Sequence, residues 1–163
     1  MKTPMLEPDE ILSIVRTTAD RLDALAAVAP PEAFEPTAYD AEWSMAGILA
    51  HLRACNHVLG GNIVRIVRED HPAWRAMSPR TWQQRSGYHE VAFRSAFEAF
   101  RAERARLLED LSTLGSDAWA RTATVTVPPK KVFEYSARYY GDWLAAHERA
   151  HLRHLERELR GRA

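Results

Sequence analysis

The sequence predicts an all-α protein, a four-helix bundle with long connecting loops. Four long segments carry apolar residues at spacings of three and four, the pattern of amphipathic helices. Most of the connections between them contain proline, which breaks helices. Only one short stretch alternates in the way of a β-strand. At 163 residues, a single domain over residues 1–163 is large enough to bury its own core, and helices of this length indicate a bundle.

The first predicted helix runs from Pro8 to Val28. Its first turn holds a proline and two acidic residues, which suit the orphan N–H groups and the positive end of the helix macrodipole. Its apolar stripe consists of Ile11, Leu12, Val15, Ala19, Leu22, Leu25 and Ala26. The following stretch, residues 29–40, contains three prolines and is predicted to be a connecting loop.

The second predicted helix runs from about Ser44 to Arg68 and the third from about Tyr88 to Leu114, with a long connection that holds a short helical turn. A Gly60-Gly61 pair inside the second helix predicts a kink or close packing there. The apolar face of the second helix consists of Ile48, His51, Leu52, Cys55, Leu59, Asn62, Ile63 and Ile66. That of the third consists of Phe93, Phe97, Phe100, Arg104, Leu107, Leu108, Leu111 and Leu114.

The only β-like alternation is in TATVTVPPKK, residues 122–131. Because it is short and stands alone, it is predicted to be an extended loop or one minor strand. The fourth predicted helix follows, from about Val132 to Arg160.

Composition excludes several classes of function. The formal net charge is zero, so the chain lacks the basic footprint of a nucleic-acid-binding protein. No stretch has the apolar length of a membrane span or of a signal peptide. The single cysteine, Cys55, excludes an intrachain disulfide and fits a reducing compartment. We therefore expect a cytoplasmic protein with no nucleic acid or membrane as partner.

Three histidines of the fourth helix lie on its apolar face, whose stripe also contains Phe133, Tyr140, Trp143, Leu144 and Leu155. His147 and His151 are four residues apart, one helical turn, and His154 follows three residues later. His51 lies on the apolar face of the second helix, whereas His57 is turned about 240° away from it. Buried, hydrogen-bonded core histidines are one reading of this pattern. The other is a divalent metal site, because neutral imidazole is a favoured ligand of zinc, nickel and iron. Three histidines with an open fourth position are typical of a catalytic metal.

The string H-E-x-x-H is also present, from His147 to His151 with Glu148 after the first histidine. In a zinc protease that glutamate would be the general base, and a third ligand would follow downstream. The chain ends 12 residues after His151, and His154 is too close to supply that ligand. A protease is therefore the less favoured interpretation.

These residues resemble the DinB/YfiT-like superfamily. Its members show a Trp-Ser pair opening the second helix, a His-Leu about two turns later, and His-x-x-x-His near the end of the fourth. The sequence has Trp43-Ser44, then His51-Leu52, then His147 and His151. The resemblance covers nearly the whole chain. It departs from the family pattern at Glu148, where Asp is common, and at His154, where Gln is common.

The resemblance implies an up-down-down-up bundle, often homodimeric, in which His51, His147 and His151 hold a divalent metal (Zn, Ni or Fe). Family members with known activity use low-molecular-weight thiols, as S-transferases or as a mycothiol-dependent maleylpyruvate isomerase. It therefore implies an S-transferase that uses a metal-bound thiolate against a small electrophile. His154 would be a fourth ligand, a hydrogen-bond partner of a ligand, or a proton shuttle, of which the second is preferred.

Two further residues are predicted to bind the thiol or the substrate. Arg104 could pair with a carboxylate, unless its guanidinium reaches the surface instead. Tyr140, with Trp143, could line the pocket, unless both pack in the core. Cys55, one turn from His51, either approaches the metal or packs as a small hydrophobe. Two alternative functions stay open at this point: a hydrolase that uses a metal-activated water, and a bundle that binds metal without catalysis.

Overall fold

The structure, a computed structural model, describes residues 2–35 and 44–161. Its elements in chain order are α1 (Pro8–Val28), α2 (Met45–Cys55), a π-helical turn (Asn56–Gly60), α3 (Gly61–Arg68), β1 (Ala73–Arg75), α4 (Pro79–Ser86), α5 (Phe93–Leu111), α6 (Ser116–Ala120), β2 (Thr122–Val127), β3 (Lys131–Ser136) and α7 (Ala137–Gly161). Two short 3-10 turns lie at Pro31–Phe34 and Tyr88–Glu90. The predicted four-helix bundle is confirmed: its helices are α1, α2 continued by α3, α5, and α7.

Side-chain contacts between the helices define their directions. Thr18 of α1 bonds to Glu148 of α7, and Arg21 of α1 bonds to Glu156 of α7. The contacts advance in the same direction along both helices, so α1 and α7 run parallel. Arg53 of α2 and Arg68 of α3 likewise pair with Glu103 and Asp110 of α5, so α2–α3 and α5 are also parallel. The order reverses between α1 and α5, where Asp23 and Asp20 meet Arg94 and Arg101. The topology is therefore up-down-down-up.

The second bundle helix is continuous but locally underwound by the π-helical turn. Ser44 caps α2, its hydroxyl accepting a hydrogen bond from the Gly47 backbone N–H at 3.2 Å. The preceding Trp43, the other half of the Trp-Ser motif, lies outside the described residues. At the end of the π-helical turn, a Cβ on Gly60 would stand only 2.7 Å from Leu107 of α5. The prediction of close packing is therefore confirmed at Gly60, whereas a Cβ on Gly61 would meet nothing within 4 Å.

The minor strand predicted within residues 122–131 is confirmed, but it does not stand alone, and the predicted start of the fourth helix was wrong. Residues 122–127 are a strand of a three-stranded sheet, in which β1 pairs parallel and β3 antiparallel with β2. The fourth helix begins at Ala137, not near Val132, because residues 131–136 form β3. Val132, Phe133 and Tyr135 favour strands, and the hydrogen-bonded ladder with β2 outweighs the helical spacing read from them. Phe133 is consequently 39% exposed on the sheet, not on the helical stripe.

The third helix is shorter than predicted, and a helix α4 of two turns precedes it. The C-cap of α4 is Gly87, whose φ of 69° is a left-handed conformation that glycine adopts without strain. A 3-10 turn and extended Val91 then separate α4 from α5, which begins at Phe93 rather than near Tyr88.

The apolar residues of the four bundle helices pack into two adjoining buried clusters. The cluster between α1, α3, α6, α7 and the sheet includes Ile11, Ile63, Val125 and Leu144. The other lies towards the opposite end, among α1, α2, α5 and α7. None of the helices in the described parts of the chain combines the length and apolar character needed to cross a bilayer.

Candidate metal centre

The structure brings together the three histidines predicted as metal ligands. His51 comes from α2, and His147 and His151 come from successive turns of the antiparallel helix α7. The Nε2 atom of His147 lies 2.7 Å from that of His51 and 3.1 Å from that of His151. Among the described residues, these three form the group whose donor atoms all lie within 4.8 Å of one another. Each side chain is half-buried, so the group is reachable from solvent.

Hydrogen bonds alone cannot satisfy this arrangement. Nδ1 of His51 faces the amide oxygen of Gln83 at 3.3 Å, and since that oxygen only accepts, the proton of His51 lies on Nδ1. Its Nε2 therefore carries a lone pair. Nε2 of His147 can donate to this lone pair or accept from His151, but one ring nitrogen cannot do both. A cation that takes a lone pair from each imidazole resolves the conflict, so the donor set fits a divalent transition metal.

The pKa values keep these imidazoles neutral. Burial, followed by the charge of His147, lowers the pKa of His51 from 6.5 to about 4; the Gln83 bond raises it slightly and Arg80 lowers it. Burial and the neighbouring histidines lower the pKa of His151 to about 4. Burial also lowers the pKa of His147. Near neutral pH all three rings therefore have lone pairs available, as metal ligation requires.

Cys55 and His154, whose part in the metal site the sequence left open, lie beside the three histidines but are not members of that group. The Sγ of Cys55 is 3.6 Å from Nε2 of His51. Its thiol is fully buried, and burial raises its pKa well above the usual range. His154 lies one turn beyond His151, and its buried Nε2 has no hydrogen-bond partner. Whether either residue joins a metal stays a prediction.

Glu148 is turned away from the histidines, into the bundle interior. It is fully buried and forms an ion pair with Arg104 of α5, and it accepts a 2.6 Å hydrogen bond from Thr18 of α1. Arg104 also donates to the Asn56 side chain at 2.8 Å and the Val15 carbonyl at 2.9 Å. The H-E-x-x-H string therefore does not place its glutamate at the histidine cluster. The carboxylate that Arg104 contacts is therefore that of Glu148 in this chain. The predicted contact of Arg104 with a carboxylate of a thiol or substrate stays a prediction.

A cavity of about 440 Å³ lies beside the histidine cluster. Tyr140, predicted to line a pocket, lines this cavity, as does Trp143 one turn before His147. Trp143 is 40% exposed, so its predicted place on the buried stripe was wrong, whereas Tyr140 is 3% exposed. The cavity is lined by Leu59, Asn62, Ala76, Met77, Ser78, Thr81, Val125, Val127, Pro128, Tyr135, Tyr139, Tyr140 and Trp143.

Sequence reasoning missed Gln83, which is 1% exposed and bonded to His51. It lies on α4, a helix recognised only as a short turn within a connection. The available signal was the Ser78-Pro79 pair, an N-cap followed by proline at the first helical position. That signal predicts the helix but not which of its polar residues faces inwards.

Comparison with known proteins supports the same fold. A family model described as the DinB superfamily matches residues 14–155. YfiT from Bacillus subtilis, described as a probable metal-dependent hydrolase with an unusual four-helix bundle topology, superposes with a TM-score of 0.74 at 16% identity, over 99% of this chain and 92% of that one. A histidine-to-alanine mutant of mycothiol-dependent maleylpyruvate isomerase gives a TM-score of 0.63 at 16% identity, over 92% of this chain and 61% of that one. No curated protein sequence matches. The chain belongs to the DinB superfamily.

Proposed function

We propose that this protein binds a divalent metal ion (Zn, Ni or Fe) through Nε2 of His51, His147 and His151, and catalyses thiol-dependent S-transfer to a small electrophile. The observation that carries the proposal is the convergence of three neutral imidazole nitrogens whose contacts hydrogen bonding cannot all satisfy. A metal bound there would supply a Lewis acid that favours the deprotonated form of a thiol.

The surroundings of the histidines favour a thiol over water as nucleophile. Metal-dependent hydrolysis of the protease type uses a carboxylate as general base, and Glu148, the candidate by sequence, is bonded to Arg104 and Thr18 instead. A thiol loses its proton near neutral pH much more readily than water does, so it does not require such a base.

Other residues of this chain would orient the metal ligands and hold the electrophile. Gln83 holds the proton of His51 on Nδ1 and so presents Nε2 to the site. The cavity beside Trp143 would hold the electrophile. In the transfer itself the thiol sulfur forms a bond to the electrophilic carbon, the leaving group departs with its electron pair, and the thiol proton passes to solvent. The net result is a thioether and the protonated or free leaving group.

Elemental analysis of the native protein tests the metal. We expect near-stoichiometric Zn, Ni or Fe, and its loss in His51→Ala and His151→Ala. His57→Ala is the matched control, because His57 is exposed and stacks on Trp82 at 4.0 Å instead of joining the cluster. Metal content that survives the first two substitutions, or metal-free protein that shows no binding of added zinc or nickel, would refute the site.

The reaction is tested with monobromobimane and a panel of low-molecular-weight thiols. We expect product formation above the uncatalysed rate with one preferred thiol, abolished by a chelator and restored by metal. A metal-dependent hydrolase is the second candidate, since the structurally similar YfiT is described as a probable one. Metal-dependent ester or amide cleavage without any thiol requirement would favour it, and stoichiometric metal without either activity would indicate a non-catalytic bundle.

The remaining expectations accompany this proposal. A homodimer, a cytoplasmic location and a single domain over residues 1–163 stay predictions. Size-exclusion chromatography with light scattering tests the first of them, and limited proteolysis tests the last.

A further inference from the structure

We propose that the cavity beside the histidine cluster is a binding site for an uncharged, planar aromatic group, and that this group is the substrate's recognition element. The inference rests on the proposed function for what happens to the bound molecule, but binding itself requires only the cavity. The juxtaposition of an aromatic, charge-free cavity with three metal-ligating nitrogens carries it.

The cavity and the histidines are built on the same elements, although no histidine lines the cavity. On α7, Trp143 lies one turn before His147, about 6 Å along the helix axis. On the second bundle helix, Leu59 follows Cys55, whose Sγ is 3.6 Å from His51. On α4, Thr81 stands two residues before Gln83, the partner of His51. The cavity therefore lies about one helical turn from the histidine cluster along α7.

The chemistry of the lining selects against charge. None of the 13 lining residues carries a formal charge. Burial raises the pKa of both Tyr139 and Tyr140 to about 12, so the phenols stay neutral. Ser78 and Thr81 are engaged with each other, their hydroxyl oxygens 2.9 Å apart. In the metal-free protein an anion would be desolvated here without a counter-ion among the lining residues, which is costly.

The shape of the lining selects for a flat ring. Tyr135 and Tyr139 stack with centroids 4.1 Å apart and planes 4° from parallel. Tyr140 stands nearly perpendicular to Tyr139, at 5.4 Å and 76°, and lies 6.3 Å from Trp143 at 18°. Because Tyr135 stacks with both Tyr139 and Phe133, those faces are already covered. The exposed Trp143 and the ring edges of the tyrosines remain to offer a planar guest the offset-stacked and edge-to-face contacts that aromatic rings prefer. The 440 Å³ volume is that of a small-molecule site.

Access to the cavity is open at one side. Met77 is 39% exposed and Trp143 40% exposed, whereas Leu59 and Val125 at the interior are essentially buried. A guest can therefore enter between Met77 and Trp143 without unfolding of the bundle.

The test is binding of a matched pair of probes, 1-naphthylmethanol and 1-naphthoate, measured by isothermal titration calorimetry. The two share one ring system and differ in charge. It is performed on metal-free protein and on the protein after incubation with zinc. We expect saturable one-to-one binding of the alcohol in both forms. In the metal-free form we expect the carboxylate to bind more weakly than the alcohol by at least about tenfold.

Two variants locate the site. Trp143→Ala should weaken binding of the alcohol about tenfold. Val28→Ala should leave it unchanged, because Val28 is an exposed apolar residue at the end of α1, 75% exposed, that does not line the cavity. Met77→Arg should raise the relative affinity for 1-naphthoate by supplying a cation at the entrance.

The outcomes separate this inference from the proposed function. Absence of saturable binding, equal affinity of the unmodified metal-free protein for both probes, or equal effects of Trp143→Ala and Val28→Ala would overturn the aromatic site whatever the metal analysis shows. If the probe still binds to the His51→Ala protein, the cavity site is supported. This holds even if neither the variant nor the native protein contains metal.

Discussion

Removal of the Arg104 guanidinium should destabilise the fold far more than removal of an exposed arginine from the same helix. The ion pair of Arg104 with Glu148 is almost completely buried, with side-chain exposures of 3% and 0%. In Arg104→Met the Glu148 carboxylate loses its counter-ion and, of the bonds the structure shows, keeps the one from Thr18. Breaking one side of a buried ion pair costs about 3–5 kcal/mol. At roughly 2–4 °C per kcal/mol for a chain of this size, the melting temperature should fall by roughly 6–20 °C.

Urea unfolding followed by circular dichroism measures the loss. Arg101→Met is the matched control: its 3.2 Å contact with Asp20 is exposed on both sides, at 48% and 77%, so it should cost less than about 1 kcal/mol. The double variant Arg104→Met with Glu148→Leu removes both buried charges and should recover much of the stability lost in the single variant. A loss below about 1 kcal/mol in Arg104→Met, or a double variant less stable than the single one, would refute the reasoning.

Three further predictions concern the metal centre and the packing of the helices. Gln83→Leu should lower zinc affinity by about 10–100-fold, because His51 loses the acceptor that keeps its proton on Nδ1. Competition with a chromophoric chelator measures the zinc affinity, and an unchanged affinity would contradict this prediction. Since the folded-state pKa values of His51 and His151 are lowered from 6.5 to about 4, the unfolded chain binds more protons between those values. The metal-free protein should therefore be fully stable above pH 6.5 and lose stability as the pH falls towards 4, with a smaller loss in His151→Ala; a flat profile in denaturant titrations would argue against neutral buried imidazoles. Gly141→Ala should destabilise the fold by about 1–3 kcal/mol, because the new Cβ would stand 2.9 Å from Trp119. Gly61→Ala has open space around the new Cβ and should stabilise the fold by about 0.5–1 kcal/mol. Equal shifts of the melting temperature in both variants would contradict this account.

The helical spacing of the histidines was sufficient to predict which of them converge. His147 and His151 share a helix face at any tilt of that helix, and His51 lies on the apolar face of another. Because both faces are apolar, both sets were expected to point into the bundle, and the packing of α2 against α7 brings them to the same level. The same reasoning placed His57 elsewhere, and in the structure it is exposed and stacked on Trp82.

Periodicity was insufficient where tertiary pairing decides the local structure. The segment from Lys131 to Ser136 continues the apolar spacing of α7, yet it forms β3 because the backbone of β2 is available beside it. The position of Trp143 was misjudged for a related reason. Its face of α7 is covered by the sheet and the α4 connection, which leave a cavity there instead of a packed core.

The sequence by itself determined the four amphipathic helices, the family, and the histidines that share a face, because these follow from spacing along a regular backbone. Only the tertiary structure decided the partners that face those residues. It placed Gln83 against His51, directed Glu148 to Arg104 instead of to the histidines, and built an aromatic cavity from strand and helix together. The physical reason is that helical periodicity states in which direction a side chain points, whereas the group it meets is set by long-range packing.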